Sequence, residues 1–202
     1  MPDTPELQKE YGQPGAQAKG CGFPVMHLLA VFNAATGFLT SMSTAAMRTH
    51  DMSQVPSVHP ELKEGDIIIG DRAFGSFAHL VLLGSRKVFG LFRMHQKQII
   101  NFRPHRKSRS VVSQNVRRKG MPTSRWIKRL GQYDQLVEYL KPKSRPKWLD
   151  EAAYAALPAT LIVREVRYKI TAHGHRTREV TLITTLLDPI ACPTLALAEG
   201  WE

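Results

Sequence analysis

The strongest chemical signal in the chain is Asp71. It stands in residues 64–77, EGDIIIGDRAFGSF, where an aliphatic run ends in Gly70 and the acid is followed by Arg72, an aromatic and a second glycine. Short β-branched runs bounded by turn formers read as buried strands. A carboxylate at the C-terminal mouth of such a strand, just ahead of a helix, occupies the place where open α/β sheets bind their ligands. Oxygen donors suit a hard cation, and Mg²⁺ is usually held through one or two protein carboxylates. The same spacing also fits a plainer role as N-cap of the following helix, where Asp is favoured. Spacing alone leaves both open.

The other polar candidates carry less. His79 falls on the helix predicted over 75–85 and reads as a surface histidine, with metal ligation as the alternative. His173 and His175 flank Gly174 and read as turn residues. Asp66, at the opposite end of the strand from Asp71, and Asp188, before Pro189, read as turn acids. Arg72 is open between phosphate contact and pairing with an acid. Trp126 and Trp148 are open between stacking on bases and burial.

Charge is strongly segregated. The 202-residue chain carries a net charge of +11, and residues 86–147 hold 18 basic and 2 acidic side chains. The flanks hold 5 basic and 8 acidic residues before that stretch, and 5 and 7 after it. A cationic block interleaved with Phe102, Trp126 and Trp148 suits a surface that follows a phosphate backbone. Arg72, Arg103, Arg106, Lys107, Arg109, Arg117, Arg118, Lys119, Arg125, Lys128 and Arg129 are the candidate DNA contacts, the guanidinium groups being matched to phosphate oxygens. A solvated basic loop, or one meeting an acidic partner, is the alternative. No run of eighteen apolar residues occurs, so no membrane span is expected. The polar N-terminus lacks a signal-peptide pattern, and the two cysteines, Cys21 and Cys192, suit a reducing cytoplasm.

The elements that must position these groups follow from pattern. Residues 1–20 read as extended. Residues 25–33 and 38–43 read as two strands joined by a turn, with a short helix beginning over 44–50 and prolines breaking the chain at 56 and 60. Residues 66–71, 75–85 and 88–94 make strand, helix and strand, a βαβ crossover. Residues 95–131 lack an apolar period and read as a loop. Residues 132–140, 159–171 and 176–187 alternate like strands, the last two forming a hairpin. Residues 150–157 read as a short helix capped by Asp150.

Four segments together carry a family resemblance: CGFPV at 21–25, GDIIIGDRAFGSF at 65–77, VFGLFRMH at 88–95 and TLITTLLDP at 181–189. With them the chain resembles the DDE transposases of bacterial insertion sequences, in the group named after insertion sequence four. The resemblance implies an α/β (α+β) fold: an incomplete ribonuclease-H-like mixed sheet with flanking helices and a β-rich insertion. It implies an extended segment over 1–20, a partial catalytic core over 21–95, a basic loop region over 96–131, the insertion over 132–180, and a return strand over 181–202. Three carboxylates in such enzymes hold two divalent ions, Mg²⁺ or Mn²⁺, that cleave and join DNA strands. Asp71 matches the second of these acids. The first, expected just ahead of a segment like MPDTPE, and the third, a glutamate on a helix with a Tyr–Arg–Glu pattern beyond TLITTLLDP, have no match here. The expectation is an internal fragment that binds metal weakly, is inactive alone in strand transfer, acts on DNA as a possible homodimer, and exposes apolar surface where the first strand is missing.

Overall fold

The computed structural model describes residues 2–15, 18, 22–95, 100–106, 123–170 and 179–201. It divides into two compact units, Met1–Leu62 and Lys63–Glu202. Among the candidates named above, Cys21, Lys107, Arg109, Arg117, Arg118, Lys119, His173 and His175 lie outside the described residues.

The first unit opens with α1 (Pro5–Tyr11), where an extended segment was expected. The start signal is local: Thr4 accepts the Leu7 N–H, Pro5 begins the helix, Glu6 sits in the first turn, and Gly12 closes the C-terminus at φ 76°. A proline at the first helical position costs no hydrogen bond, and a glycine past the end accepts positive φ. Strands β1 (Met26–Phe32) and β2 (Leu39–Ala46) pair antiparallel as expected. The second strand runs through Thr44, Ala45 and Ala46, where a helix was expected to begin. That helix comes later, as α2 (Asp51–Val58), capped by the His50 ring and carrying Pro56 inside it rather than ending there. His27 of β1 reaches both the Thr49 carbonyl at 2.6 Å and Asp51 Oδ1 at 2.7 Å, which ties the hairpin to the start of α2.

One face of this hairpin stays wet although it is apolar. Met26, Leu28, Phe32, Leu39 and Met42 are all exposed, Phe32 at 60%. Residues 21–47 contain no Asp, Glu, Lys or Arg. An uncharged strand edge is weakly defended against pairing with another chain.

The second unit is a six-stranded mixed sheet in the order β3-β4-β8-β7-β6-β5. Its strands are β3 (Ile67–Gly70), β4 (Phe89–Arg93), β5 (Thr123–Gly131), β6 (Asp134–Leu140), β7 (Thr160–Lys169) and β8 (Glu179–Thr184). Helix α3 (Phe77–Ser85) links β3 to its parallel neighbour β4, so the βαβ crossover is present. The remaining pairings are antiparallel. The result is a mixed α+β fold consistent with a ribonuclease-H-like sheet. Helix α4 (Glu151–Ala156) is capped by Asp150 through its Oδ1, as the sequence predicted. Two threonines at the end of β8 lock it to β4: Thr184 Oγ1 donates to the Gly90 carbonyl, and Thr185, just past the strand, accepts the Gly90 N–H at its Oγ1.

Both faces of the central strands are covered. On one face Leu91, Val166, Val180 and Leu182 pack with Leu197 of α5 (Thr194–Trp201). Toward α3 the fit is close: a Cβ on Gly90 would come within 2.9 Å of Leu80 and 2.6 Å of Phe92, so only glycine lets the helix lie this near β4. Two-sided burial explains why β7 buries Val163, Arg164, Glu165 and Val166 in succession, where alternation was expected.

Strand β5 corrects the expectation of a loop up to residue 131. Its register shifts between Trp126 and Lys128 and again between Arg129 and Gly131, which breaks the period of two. It is an edge strand whose exposed face carries Arg125, Lys128 and Arg129, a loading that also discourages strand addition.

Candidate functional site

Asp71 leaves the C-terminal end of β3 directly after Gly70, the position the sequence predicted. Its side chain is 57% exposed, and Arg72 Nε lies 3.7 Å from Oδ2. An exposed pair between neighbours contributes little stability. The capping role is not what the acid does. Ser76 caps α3 by accepting the His79 N–H, while the Asp71 carbonyl accepts the Phe74 N–H in the turn before it.

His79 is not a surface residue. It is 2% exposed, and its ring packs against Phe74 and Phe92. Its Nδ1 lies 2.8 Å from the Phe74 carbonyl, so that nitrogen carries the proton. Asp66 accepts the Lys63 N–H and Asp188 accepts those of Ile190 and Ala191, so both are turn acids as read.

The parallel pairing of β3 and β4 brings a second guanidinium to the same end of the sheet. Gly70 sits opposite Phe92, so Arg93 ends β4 near Asp71. Its guanidinium lies 5.6 Å over the Trp201 ring, and Trp201 Nε1 donates to the Gly70 carbonyl at 3.3 Å. The mouth of this βαβ unit is therefore built from one carboxylate, two arginines and an indole. Pattern reading missed Arg93 and Trp201, although the residue ending the next parallel strand is the place to look once a crossover is assigned. Among the described residues no group of three His, Cys, Asp or Glu side chains is placed to hold a metal ion. Asp71 is a single carboxylate, where a two-ion centre needs several converging ones. The described residues do not fit that centre by themselves, and the two guanidinium groups favour an anion.

The cationic candidates are placed differently from one another. Arg103 is exposed. Arg125 Nη1 meets Glu138 Oε2 at 3.2 Å across the β5–β6 ladder, and Arg129 Nε donates to the Gly131 carbonyl. Lys128 is exposed on the same strand. Arg106 turns inward and donates to Ser124 and to the Asn101 carbonyl. Trp126 is half-buried with its Nε1 enclosed, and the His105 ring lies 4.5 Å away, tilted by 54°.

Two buried charged groups went unread in the sequence. Arg164 is fully enclosed, with Nε 2.8 Å from Asp134 Oδ1, Nη2 2.6 Å from Oδ2 and Nη1 2.6 Å from the Cys192 carbonyl. Thr194 Oγ1 also donates to Asp134 Oδ2. A cleft of about 390 Å³ opens over this pair, walled by Tyr133, Arg167 and Pro193 and not by Asp71. Its polar floor is spent on internal hydrogen bonds, which suits structure better than ligand binding.

Glu165 faces the other side of the sheet. Gln135 Nε2 donates to its Oε2 at 2.7 Å and the Tyr139 hydroxyl to its Oε1 at 3.0 Å. Burial pushes its carboxyl above the ordinary glutamate range, against those two hydrogen bonds and the charges of Arg106 and Arg167. A folded-state pKa above the unfolded one means that the contribution to stability is fully present below the unfolded value. It is lost as pH rises through the folded value. We expect Glu165→Gln, which cannot ionise, to lose less stability than the native chain from about pH 4 upward. Urea midpoints measured across that range check this, and parallel curves for the two proteins would contradict it.

The fold and site together define a mixed α+β protein with a carboxylate, Asp71, at the mouth of a parallel βαβ unit, the end of a strand where open sheets place their ligand sites. The chain belongs to the transposase DDE domain family, whose model matches residues 2–151. That family acts on DNA and uses divalent metal ions. No curated protein and no solved structure matched the chain. No helix among the described residues is long and apolar enough to cross a membrane.

Proposed function

We propose that this chain carries out the DNA-binding part of transposition, holding the phosphate backbone with the cationic stretch 86–147, and that strand cleavage requires carboxylates additional to Asp71. The observation that carries the reading is the charge segregation within a transposase-family chain: 18 basic and 2 acidic residues in that stretch, against acidic flanks. Phosphate neutralisation by Lys and Arg supplies most of sequence-independent affinity for DNA. Asp71 is read as the family's second catalytic acid, contributing one oxygen ligand toward Mg²⁺ or Mn²⁺ and unable to hold either tightly alone. The insertion-sequence-four resemblance further implies two copies acting on paired DNA ends.

This predicts that binding and metal are separable. Duplex DNA should shift in a gel at low salt with chelator present, and Asp71→Ala should bind within about twofold of the native chain, since one exposed acid contributes little to phosphate contact. Added Mg²⁺ should produce no strand cleavage. Binding that vanishes with chelator, or cleavage abolished by Asp71→Ala, would show that the chain completes a metal centre and would overturn the proposal.

A further inference from the structure

Asp71 stands on a strand end that the sheet supports from one side only. Strand β3 is four residues long and lies at the edge of the sheet, hydrogen-bonded to β4 alone. The ends of short edge strands open readily unless side chains hold the backbone groups that no neighbouring strand takes up. Two side chains hold this one. After the acid, the His79 ring bonds the Phe74 carbonyl at 2.8 Å and packs on Phe74 and Phe92, which fixes the far end of the turn from α3. Before the acid, Trp201 Nε1 donates to the carbonyl of Gly70 at 3.3 Å.

The second of these ties comes from far along the chain, 131 residues beyond Gly70, and from a support that is itself fixed. Leu197 of α5 packs with Leu91, Val166, Val180 and Leu182, and Trp201 packs against the same cluster. The Cys192 carbonyl, just ahead of α5, is held by Arg164. The face of the indole carries the Arg93 guanidinium at 5.6 Å, and Arg93 directly follows Phe92, the register partner of Gly70. On the α3 side the strand end is closed, since a Cβ on Gly70 would come 3.1 Å from Phe74 and 3.3 Å from Phe92. Asp71 therefore leaves a backbone packed from α3 and tethered from α5.

We propose that Trp201 is a positioning residue for Asp71: its indole N–H holds the backbone immediately before the acid, and its ring keeps Arg93 beside that strand end. The consequence rests on the reading of Asp71 as the family's second catalytic acid, but the tether can be tested without metal or DNA. Groups that hold a ligand residue in place set how well it binds, although they touch nothing but the protein.

The test uses the full chain with Trp201→Phe, which keeps an aromatic ring and removes the N–H donor, and Asp71→Asn as the control. In the metal-free chain, amide hydrogen exchange at residues 71–74 should speed up about tenfold in Trp201→Phe, while exchange in β7 and β8 stays near the native rate. Mn²⁺ alone then probes the acid by magnetic resonance. It should broaden the amide signals of residues 70–74 in the native chain and leave them sharp in Asp71→Asn. Trp201→Phe should need roughly threefold more Mn²⁺ for the same broadening. Native exchange at 71–74 in Trp201→Phe would overturn the proposal. Acceleration spread evenly over β7 and β8 would also overturn it, by making the indole a general packing residue. So would faster exchange with unchanged broadening, since the tether would then not reach the carboxylate. If Mn²⁺ broadens nothing at 70–74 in the native chain, the reading of Asp71 as a metal ligand fails, while the exchange measurement still decides the tether.

Discussion

Replacing Arg164 with alanine should cost the second unit about 3–5 kcal/mol, the range for breaking one half of a buried ion pair. Three contributions add. The bidentate pair to Asp134 is lost, leaving a carboxylate on an enclosed strand with Thr194 as its remaining partner. The Cys192 carbonyl loses its donor just ahead of α5. The side chain also leaves a void, because Arg164 is among the largest fully buried side chains of the described residues. Lysine should recover little, since a point charge cannot span both carboxylate oxygens. The paired change Asp134→Asn with Arg164→Met should recover part of the loss, as apolar packing often replaces a buried pair without penalty. Urea unfolding followed by tryptophan fluorescence measures this. A loss under about 1 kcal/mol for Arg164→Ala would mean that the pair is solvated and that β6, β7 and the segment before α5 are not held through it.

The second large effect concerns DNA. Neutralising Arg117, Arg118 and Lys119 together should lower the slope of log affinity against log salt by about 2.7, at about 0.9 per phosphate contact, and weaken binding on the order of 10²–10³-fold near 0.1 M salt. Neutralising Arg125 and Arg129 should do less, because each already spends hydrogen bonds within the chain, on Glu138 and on the Gly131 carbonyl. A larger loss from Arg125 and Arg129 than from the other three would place the contact surface on β5 rather than on the residues preceding it.

What the sequence revealed depended on how local the cause was. Asp71 could be placed because four residues ending in glycine suffice for a strand, with a helix and a second apolar strand following at once. The burial was misjudged, since β3 is an edge strand with Ile67 and Ile69 exposed and α3 is buried along most of its length rather than amphipathic. Asp150 was legible for the same reason: a cap is a contact over three residues. Thr4, Pro5 and Glu6 were an equally local signal, obscured by the Gly, Pro and Gln richness of the residues around them. By contrast, β5 was hidden by its two register shifts and by the charge on its exposed face. Arg164 and Glu165 were unreadable because their burial is decided by α5 on one face and by segment 100–106 with β6 on the other. The sequence offers no spacing rule for that. Arg93 and Trp201 became visible only once the pairing of β3 with β4 and the approach of α5 were known.

The exposed apolar hairpin face bears on handling and not on chemistry. Phe32, Met42 and their neighbours on an uncharged segment are a route to association at high concentration. Binding should accordingly be measured on dilute protein.

The decisive measurement is the affinity of the native chain for a duplex between about 50 and 200 mM salt, with chelator present throughout. Six to ten phosphate contacts predict a straight log–log line and a fall of about 10³–10⁵ across that range. An affinity that barely changes with salt, or that appears only when Mg²⁺ is added, would contradict a phosphate-tracking surface that works independently of Asp71.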